Sequence, residues 1–127
     1  MFLPEKNTSY YKLTVFQKSK KLVLLVYKIT RNFPKEELFS LVPQMRRAAI
    51  SIVANIVEGY SKNYTKEFIR FLNISIGSAT ELKIYLELSL ELGYLPSGVY
   101  EESQNLLTEI RKMLYSYKKT LGNKIKE

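Results

Sequence analysis

Gln44-Met45-Arg46-Arg47-Ala48-Ala49-Ile50-Ser51-Ile52-Val53-Ala54-Asn55-Ile56-Val57-Glu58-Gly59 is the stretch whose reading decides the fold. It holds no internal Pro and ends on Gly, so it predicts one helix with a stop at Gly59. Arg47, Ser51, Asn55 and Glu58 fall at i, i+4, i+8 and i+11, on a single stripe of that helix. Apolar residues fill most of the remaining surface. Part of the polar stripe is therefore expected to be buried against a neighbouring helix.

The flanking sequence repeats the helical pattern. Phe16, Ser19, Val23, Val26, Thr30 and Phe33 recur at three- and four-residue steps, which predicts helix one from about Thr14 to Arg31 with Thr14 as N-cap. Pro34 ends it, because its ring and missing N–H disfavour continuation. Helix two is expected from Pro43, at its first position, to Glu58, with Gly59 in the left-handed conformation after it. Tyr60 to Tyr64 read as a loop. Helix three is expected from Thr65 to Leu92, with Gly93 as its stop. Helix four is expected from Ser97 or Gly98 to Leu121, with Gly122 as its stop. Four helices with short connections, and no competing strand pattern, predict an all-α, antiparallel up-down-up-down four-helix bundle in one domain. Residues 1–12 read as a flexible N-terminal arm, 13–122 as the bundle and 123–127 as a basic tail.

Composition excludes much chemistry. The 127 residues include no Cys, His, Trp or Asp. Cys/His zinc sites, Ser-His-Asp and Cys-His catalysis, and Glu-x-x-His di-iron sites are all excluded. No nucleophile–base pair is complete, so a non-enzymatic protein without metal, cofactor or small-molecule substrate is expected. Hydrophobic content of 46% argues for a packed core rather than disorder. The longest apolar run, Leu22 to Tyr27, is far short of the roughly 20 residues of a membrane span. The N-terminal residues lack a signal-peptide pattern, and a cytoplasmic setting is expected.

Helix three is apolar on too many sides for one core. Phe68, Leu72, Ser75, Ala79, Leu82 and Leu86 form a stripe, while Ile69, Ile74, Ile76, Tyr85, Leu88, Leu90 and Leu92 lie off it. Leu22, Leu24, Leu25 and Ile29 do the same on helix one. Such excess marks an interface, so a homo-oligomer is expected. Gly77-Ser78-Ala79 adds small residues in mid-helix. In a hairpin joined near residue 62 they would face residues 47–51. That predicts close helix approach and a structural polar cluster of Arg46, Arg47, Ser51, Asn55, Glu58 and Glu81, with Arg47 or Arg46 reaching Glu81.

Charge is unevenly placed. Twenty Lys and Arg against twelve acids leave a net charge of +8. In the expected bundle, Lys18, Lys20, Lys21, Lys62, Lys66, Arg70, Lys118 and Lys119 gather toward one end, and most acids, Glu109 among them, toward the other. Tyr60 and Tyr64 fall at the basic end. Lysines with interleaved aromatics can hold a nucleic-acid backbone and stack unpaired bases. RNA or DNA is therefore the expected partner. The plainer alternative is a solvated basic surface with Tyr rings packed under Lys stems.

The Gln44–Gly59 stretch also resembles the four-helix-bundle family encoded by intervening sequences of bacterial 23S ribosomal RNA genes, whose pattern is roughly Q-x-R-R-A-A-x-S-I-x-x-N-I-x-E-G. Phe16-Gln17-Lys18-Ser19 and Tyr27-Lys28-Ile29-Thr30-Arg31-Asn32-Phe33-Pro34-Lys35-Glu36-Glu37 extend the resemblance before it. Phe68-Ile69-Arg70-Phe71-Leu72, Gly77-Ser78-Ala79-Thr80-Glu81-Leu82 and Leu92-Gly93-Tyr94-Leu95 extend it after, so that it covers about residues 13–121. Val53 stands where the family often has Pro, Phe16 where Trp is common, and Ser19 where Ala is common. The resemblance implies a homopentamer and makes ribosomal RNA the natural candidate partner. A related group of helical-bundle rings serves reverse transcriptases of diversity-generating retroelements, which implies an adaptor as one alternative. A structural scaffold without nucleic-acid binding is the other.

Overall fold

The computed structural model describes residues 9–126. The expected arm over residues 1–8 and the last residue of the expected tail lie outside the described residues. Ser9–Lys12 forms a 3-10 turn rather than loose chain. Four helices follow: α1 (Thr14–Thr30), α2 (Leu41–Tyr60), α3 (Thr65–Glu91) and α4 (Ser97–Lys126), with a second 3-10 turn at Lys35–Glu37.

Each helix packs against two others, α1 on α2 and α4, and α3 on α2 and α4. The contacts run in opposite senses. Met45 meets Ser89 and Gly59 meets Phe68 across α2–α3. Gln104 meets Lys83 and Tyr117 meets Phe68 across α3–α4. Arg46 bonds Thr30 across α1–α2, and Lys18 pairs with Glu109 across α1–α4. Neighbouring helices are thus antiparallel around one core. Leu22, Val26, Met45, Ile52, Ile56, Leu72, Leu82, Leu86, Leu107, Ile110 and Leu114 are fully buried in it. Leu22, Ile29 and Ile76 belong to this core. The apolar excess left on the surface of α1 and α3 is Leu24, Ile74, Ile84, Leu88 and Leu92.

Several expected helix ends move for identifiable reasons. Helix α2 begins two residues early, so Pro43 is its third residue; the first four N–H groups have no partner in the helix, and Pro is tolerated there. Gly122 does not stop α4, which continues to Lys126 while Leu121 docks in the core. Gly59 is not a left-handed stop either, and α2 runs through it to Tyr60. Its lack of a side chain serves packing: a Cβ there would lie 2.8 Å from Phe68 Cδ1 and 2.8 Å from Phe71 Cβ. Gly93 does end α3 as expected, at φ +80°. The Tyr94 and Gly93 N–H groups donate to the Ser89 and Leu90 carbonyls, at 2.9 and 3.0 Å, closing the helix with two reversed bonds.

The polar stripe of α2 is partly interior, but not as an ion pair. The Ser51 and Ser78 hydroxyls meet at 2.7 Å, Asn55 Nδ2 donates back to the Ser51 carbonyl at 2.8 Å, and Ser75 Oγ donates to the Ile52 carbonyl at 2.8 Å. The expected Arg–Glu81 pair does not form. Arg46 turns to α1, donating to Thr30 Oγ1 at 2.9 Å with its guanidinium 4.4 Å from the Tyr27 ring centre. Arg47 and Glu81 face solvent. One residue is about 100° of helix rotation, so with Arg46 turned to α1 its neighbour Arg47 points into solvent. Glu58 pairs with Lys62 at 3.1 Å on the surface. Gly77 lies on the outer edge of α3, where a Cβ would meet nothing within 4 Å. Ser75 and Ser78, rather than Gly77, bring this part of α3 against α2 through small side chains.

At the end holding the α1–α2 and α3–α4 connections, Glu37 ties the two together. Its carboxylate accepts the Tyr94 hydroxyl at 2.7 Å and the Ser40 hydroxyl at 2.6 Å. Those two hydrogen bonds, Ser40's first, hold the Glu37 carboxyl below its ordinary range, and the carboxylate pushes the Tyr94 phenol up to about 12. Phe33 packs on Tyr94 with ring centres 5.3 Å apart.

Two measurements check this account. Gly59→Ala should lower stability by roughly 1–3 kcal/mol through overpacking against Phe68 and Phe71, whereas Gly77→Ala should raise it by roughly 0.5–1 kcal/mol through helix propensity. Chemical denaturation of both variants decides, and an equal response at the two positions would contradict the packing assigned to Gly59. The lowered Glu37 pKa makes its link stabilising above the ordinary Glu range and lost as pH falls through the folded value. The raised Tyr94 pKa makes its contribution full below the ordinary Tyr value and lost as pH rises toward about 12. In melting curves across pH, Tyr94→Phe should therefore differ from wild type at neutral pH and converge with it at both extremes.

Candidate nucleic-acid interface

The opposite end gathers the start of α1, the α2–α3 loop and the end of α4. Among the described residues its acids are all engaged. Glu58 pairs with Lys62 at 3.1 Å, Glu67 with Arg70 at 3.1 Å, and Glu109 with Lys18 at 2.8 Å. Glu109 was expected at the far end. The antiparallel pairing of α1 and α4 instead sets it level with the second turn of α1. These pairs are solvent-facing and contribute about 0–1 kcal/mol each. Their consequence is electrostatic, since each removes one positive charge from the local sum.

Lys12, Lys20, Lys21, Lys66, Lys118, Lys119 and Lys124 remain. Among the described residues none of them has a carboxylate within 4.0 Å. Lys20 and Lys21 lie on the outer face of α1, Lys66 in the first turn of α3, and Lys118 and Lys119 near the end of α4. They ring the end of the bundle rather than forming one stripe. Two other expected binding residues are occupied within the chain: Lys62 Nζ sits 5.5 Å and the Arg70 guanidinium 4.4 Å from the Phe71 ring centre.

The aromatics divide likewise. Tyr10, Phe16, Tyr60, Phe68 and Tyr117 form a chain of rings beneath the lysines. Ring centres are 5.1 Å apart for Tyr10–Phe16, 6.5 Å for Tyr10–Tyr60, 6.0 Å for Tyr60–Phe68 and 5.0 Å for Phe68–Tyr117. Most meet edge to face, the arrangement the ring quadrupole favours. The Tyr60 hydroxyl also lies 3.0 Å from Ser9 Oγ. Burial, and then the neighbouring Tyr60, raise the Tyr117 phenol pKa. Tyr60, expected as a base-stacking group, is half-buried and packed edge-on against Tyr10 and Phe68. Tyr64, 73% exposed, has a free ring face. Sequence reading also sets Tyr10, Tyr11, Tyr115 and Tyr117 at this end; what it misses is that Tyr10 and Tyr117 join Phe16, Tyr60 and Phe68 in one packed chain. The one available signal was aromatic density at the segment junctions, at Tyr10-Tyr11, Tyr60 and Tyr64.

The site offers positive charge and the exposed rings of Tyr64 and Tyr115. Among the described residues no group of three carboxylates converges to hold a metal ion, and no helix is long and apolar enough to cross a membrane. The class defined is an all-α four-helix bundle with one uncompensated basic end. Comparison with known proteins then places the chain: residues 11–116 match the model of the 23S rRNA-intervening sequence protein family, and the chain belongs to that family. A solved structure of a protein of unknown function from the S23 ribosomal protein family of Bacteroides thetaiotaomicron VPI-5482 is similar. It is 33% identical, covers 84% of this chain and 99% of its own, and has a TM-score of 0.76. No curated protein matches the chain.

The separate roles of the two tyrosines can be measured. Tyr60→Ala should destabilise the fold by roughly 1–3 kcal/mol, less than the 3–5 typical of a fully buried aromatic. Tyr64→Ala should stay within about 0.5 kcal/mol of wild type, as exposed substitutions do. Urea titration followed by circular dichroism reads both, and comparable losses would mean that Tyr64 is packed too.

Proposed function

We propose that the chain is a non-enzymatic, cytoplasmic nucleic-acid-binding protein that assembles with copies of itself and holds RNA at its basic end, with ribosomal RNA as the favoured partner. One observation carries the reading: Glu58, Glu67 and Glu109 are each paired with a cation, while among the described residues Lys20, Lys21, Lys66, Lys118 and Lys119 have no carboxylate within 4.0 Å. Uncompensated lysines around a low-dielectric bundle end raise the local potential for a polyanion. Membership of a family named for an rRNA intervening sequence supports RNA over other polyanions. Exposed Leu24, Ile84, Leu88 and Leu92 on α1 and α3 support self-assembly; the family resemblance favours five subunits.

Binding should be phosphate-directed and weakly sequence-selective, with Tyr64 stacking on an unpaired base. Affinity for a structured RNA should fall linearly in log salt, by about 0.7 log unit for each phosphate neutralised on a single strand. Replacing Lys20, Lys21, Lys66 and Lys119 by Ser should flatten that slope and leave the helical content unchanged. Fluorescence anisotropy over a salt series, with heparin as competitor, makes the comparison. Equal slopes for wild type and variant, or no binding at low salt, would leave a solvated surface and a structural scaffold as the better account.

A further inference from the structure

The last turns of α4 present a polar ridge with a hollow on each flank. Lys112, Ser116, Lys119 and Asn123 recur at three- and four-residue steps and form the exposed ridge. On the flank toward α1, a groove of about 520 Å³ opens between the two helices. Leu13 and Val15 of α1, with Met113 and Tyr117 of α4, give it apolar walls. Lys112, Ser116 and Thr120 add polar groups to its α4 side. The Lys18–Glu109 ion pair bridges the same helices one turn deeper. At about 100° of helix rotation per residue, Tyr115, Lys118 and Gly122 fall on the ridge's other flank. They bound a second hollow of about 470 Å³ together with Lys119 and Asn123. The Tyr115 ring is 50% exposed there, and Gly122 has no side chain to narrow the space.

We infer that this part of α4 holds an unpaired stretch of RNA, with one base in the groove against α1, a neighbouring base on Tyr115, and phosphate on the ridge lysines between them. The inference rests on the RNA binding proposed above and specifies the form of the strand. Bases must be unpaired to be splayed into separate slots and stacked on an aromatic ring. Size fits, since the groove lies within the roughly 300–1,000 Å³ of small-molecule sites. Chemistry fits as well. A base has a flat apolar body and a polar edge, and the groove sets apolar walls beside hydroxyls. Thr120 Oγ1 donates to the Ser116 carbonyl at 3.1 Å and its oxygen can still accept. On the other flank Asn123 offers an amide beside the Tyr115 ring. Charge singles out a polyanion. Among the described residues Lys112, Lys118 and Lys119 have no carboxylate within 4.0 Å, and Glu109, one turn from Lys112, is taken by Lys18. An apolar protein surface laid across both hollows would bury the ridge lysines without partners, at a desolvation cost. A strand crossing the ridge sets phosphate against them, in charge-assisted hydrogen bonds.

The test compares a short oligouridylate with a strand of equal length that lacks its bases, by fluorescence anisotropy at low salt. Both strands carry the same phosphates. A Tyr64→Ala background removes the stacking group already assigned. The oligouridylate should bind more tightly by roughly 5- to 150-fold for each base docked. Adding Tyr115→Ala or Met113→Ala should each reduce that preference and leave affinity for the baseless strand unchanged. Tyr115 is half exposed, so its variant keeps the fold and decides the matter if Met113→Ala loses its circular dichroism. Equal affinity for the two strands overturns the base slots and leaves the phosphate-directed reading standing. A preference that neither variant reduces also overturns them, because the bases then dock elsewhere. A changed light-scattering mass in either folded variant makes this face a contact between copies and overturns the inference. Absence of binding to both strands overturns it together with the RNA reading.

Discussion

Phe68 and Phe71 of α3 occupy the space that a side chain on Gly59 of α2 would need. This close approach sets the spacing of the central helical pair. Two turns further along the same seam, the Ser51–Ser78 and Ser75–Ile52 hydrogen bonds hold the helices together through short side chains. Longer side chains there would force the pair apart. Phe68 is also the centre of the aromatic chain, touching Tyr60 on one side and Tyr117 of α4 on the other. The α2–α3 contact thereby positions Tyr117 of α4 and, through Tyr60, Tyr10 of the 3-10 turn at Ser9–Lys12.

The two ends of the bundle are built from different chemistry. One is closed by packed rings under lysines whose nearby acids are already paired. The other is closed by the Glu37–Tyr94 bond and leaves the Phe39 ring exposed. On the proposed function the first of these ends meets the partner polyanion.

Periodicity and punctuation made four helices legible without coordinates, along with the turn at Gly93 and the residues that line the core. They succeed because a helix imposes a local repeat and a local terminus on the chain. The absence of Cys, His and Asp is equally legible and bounds the chemistry. The tertiary structure decided what each ambiguous residue is for. Gly59 reads in sequence as a helix stop, and is a packing position because Phe68 and Phe71 lie against it. Arg46 and Arg47 read as alternatives for one partner, yet they diverge toward α1 and toward water. Tyr60 and Tyr64 read as equivalent rings, yet one is packed among aromatics and the other open. Glu109 reads as part of an acidic end, and is the partner of Lys18. In each case the deciding fact is which atom of a distant segment fills the neighbouring space, and spacing along one chain segment carries no record of that.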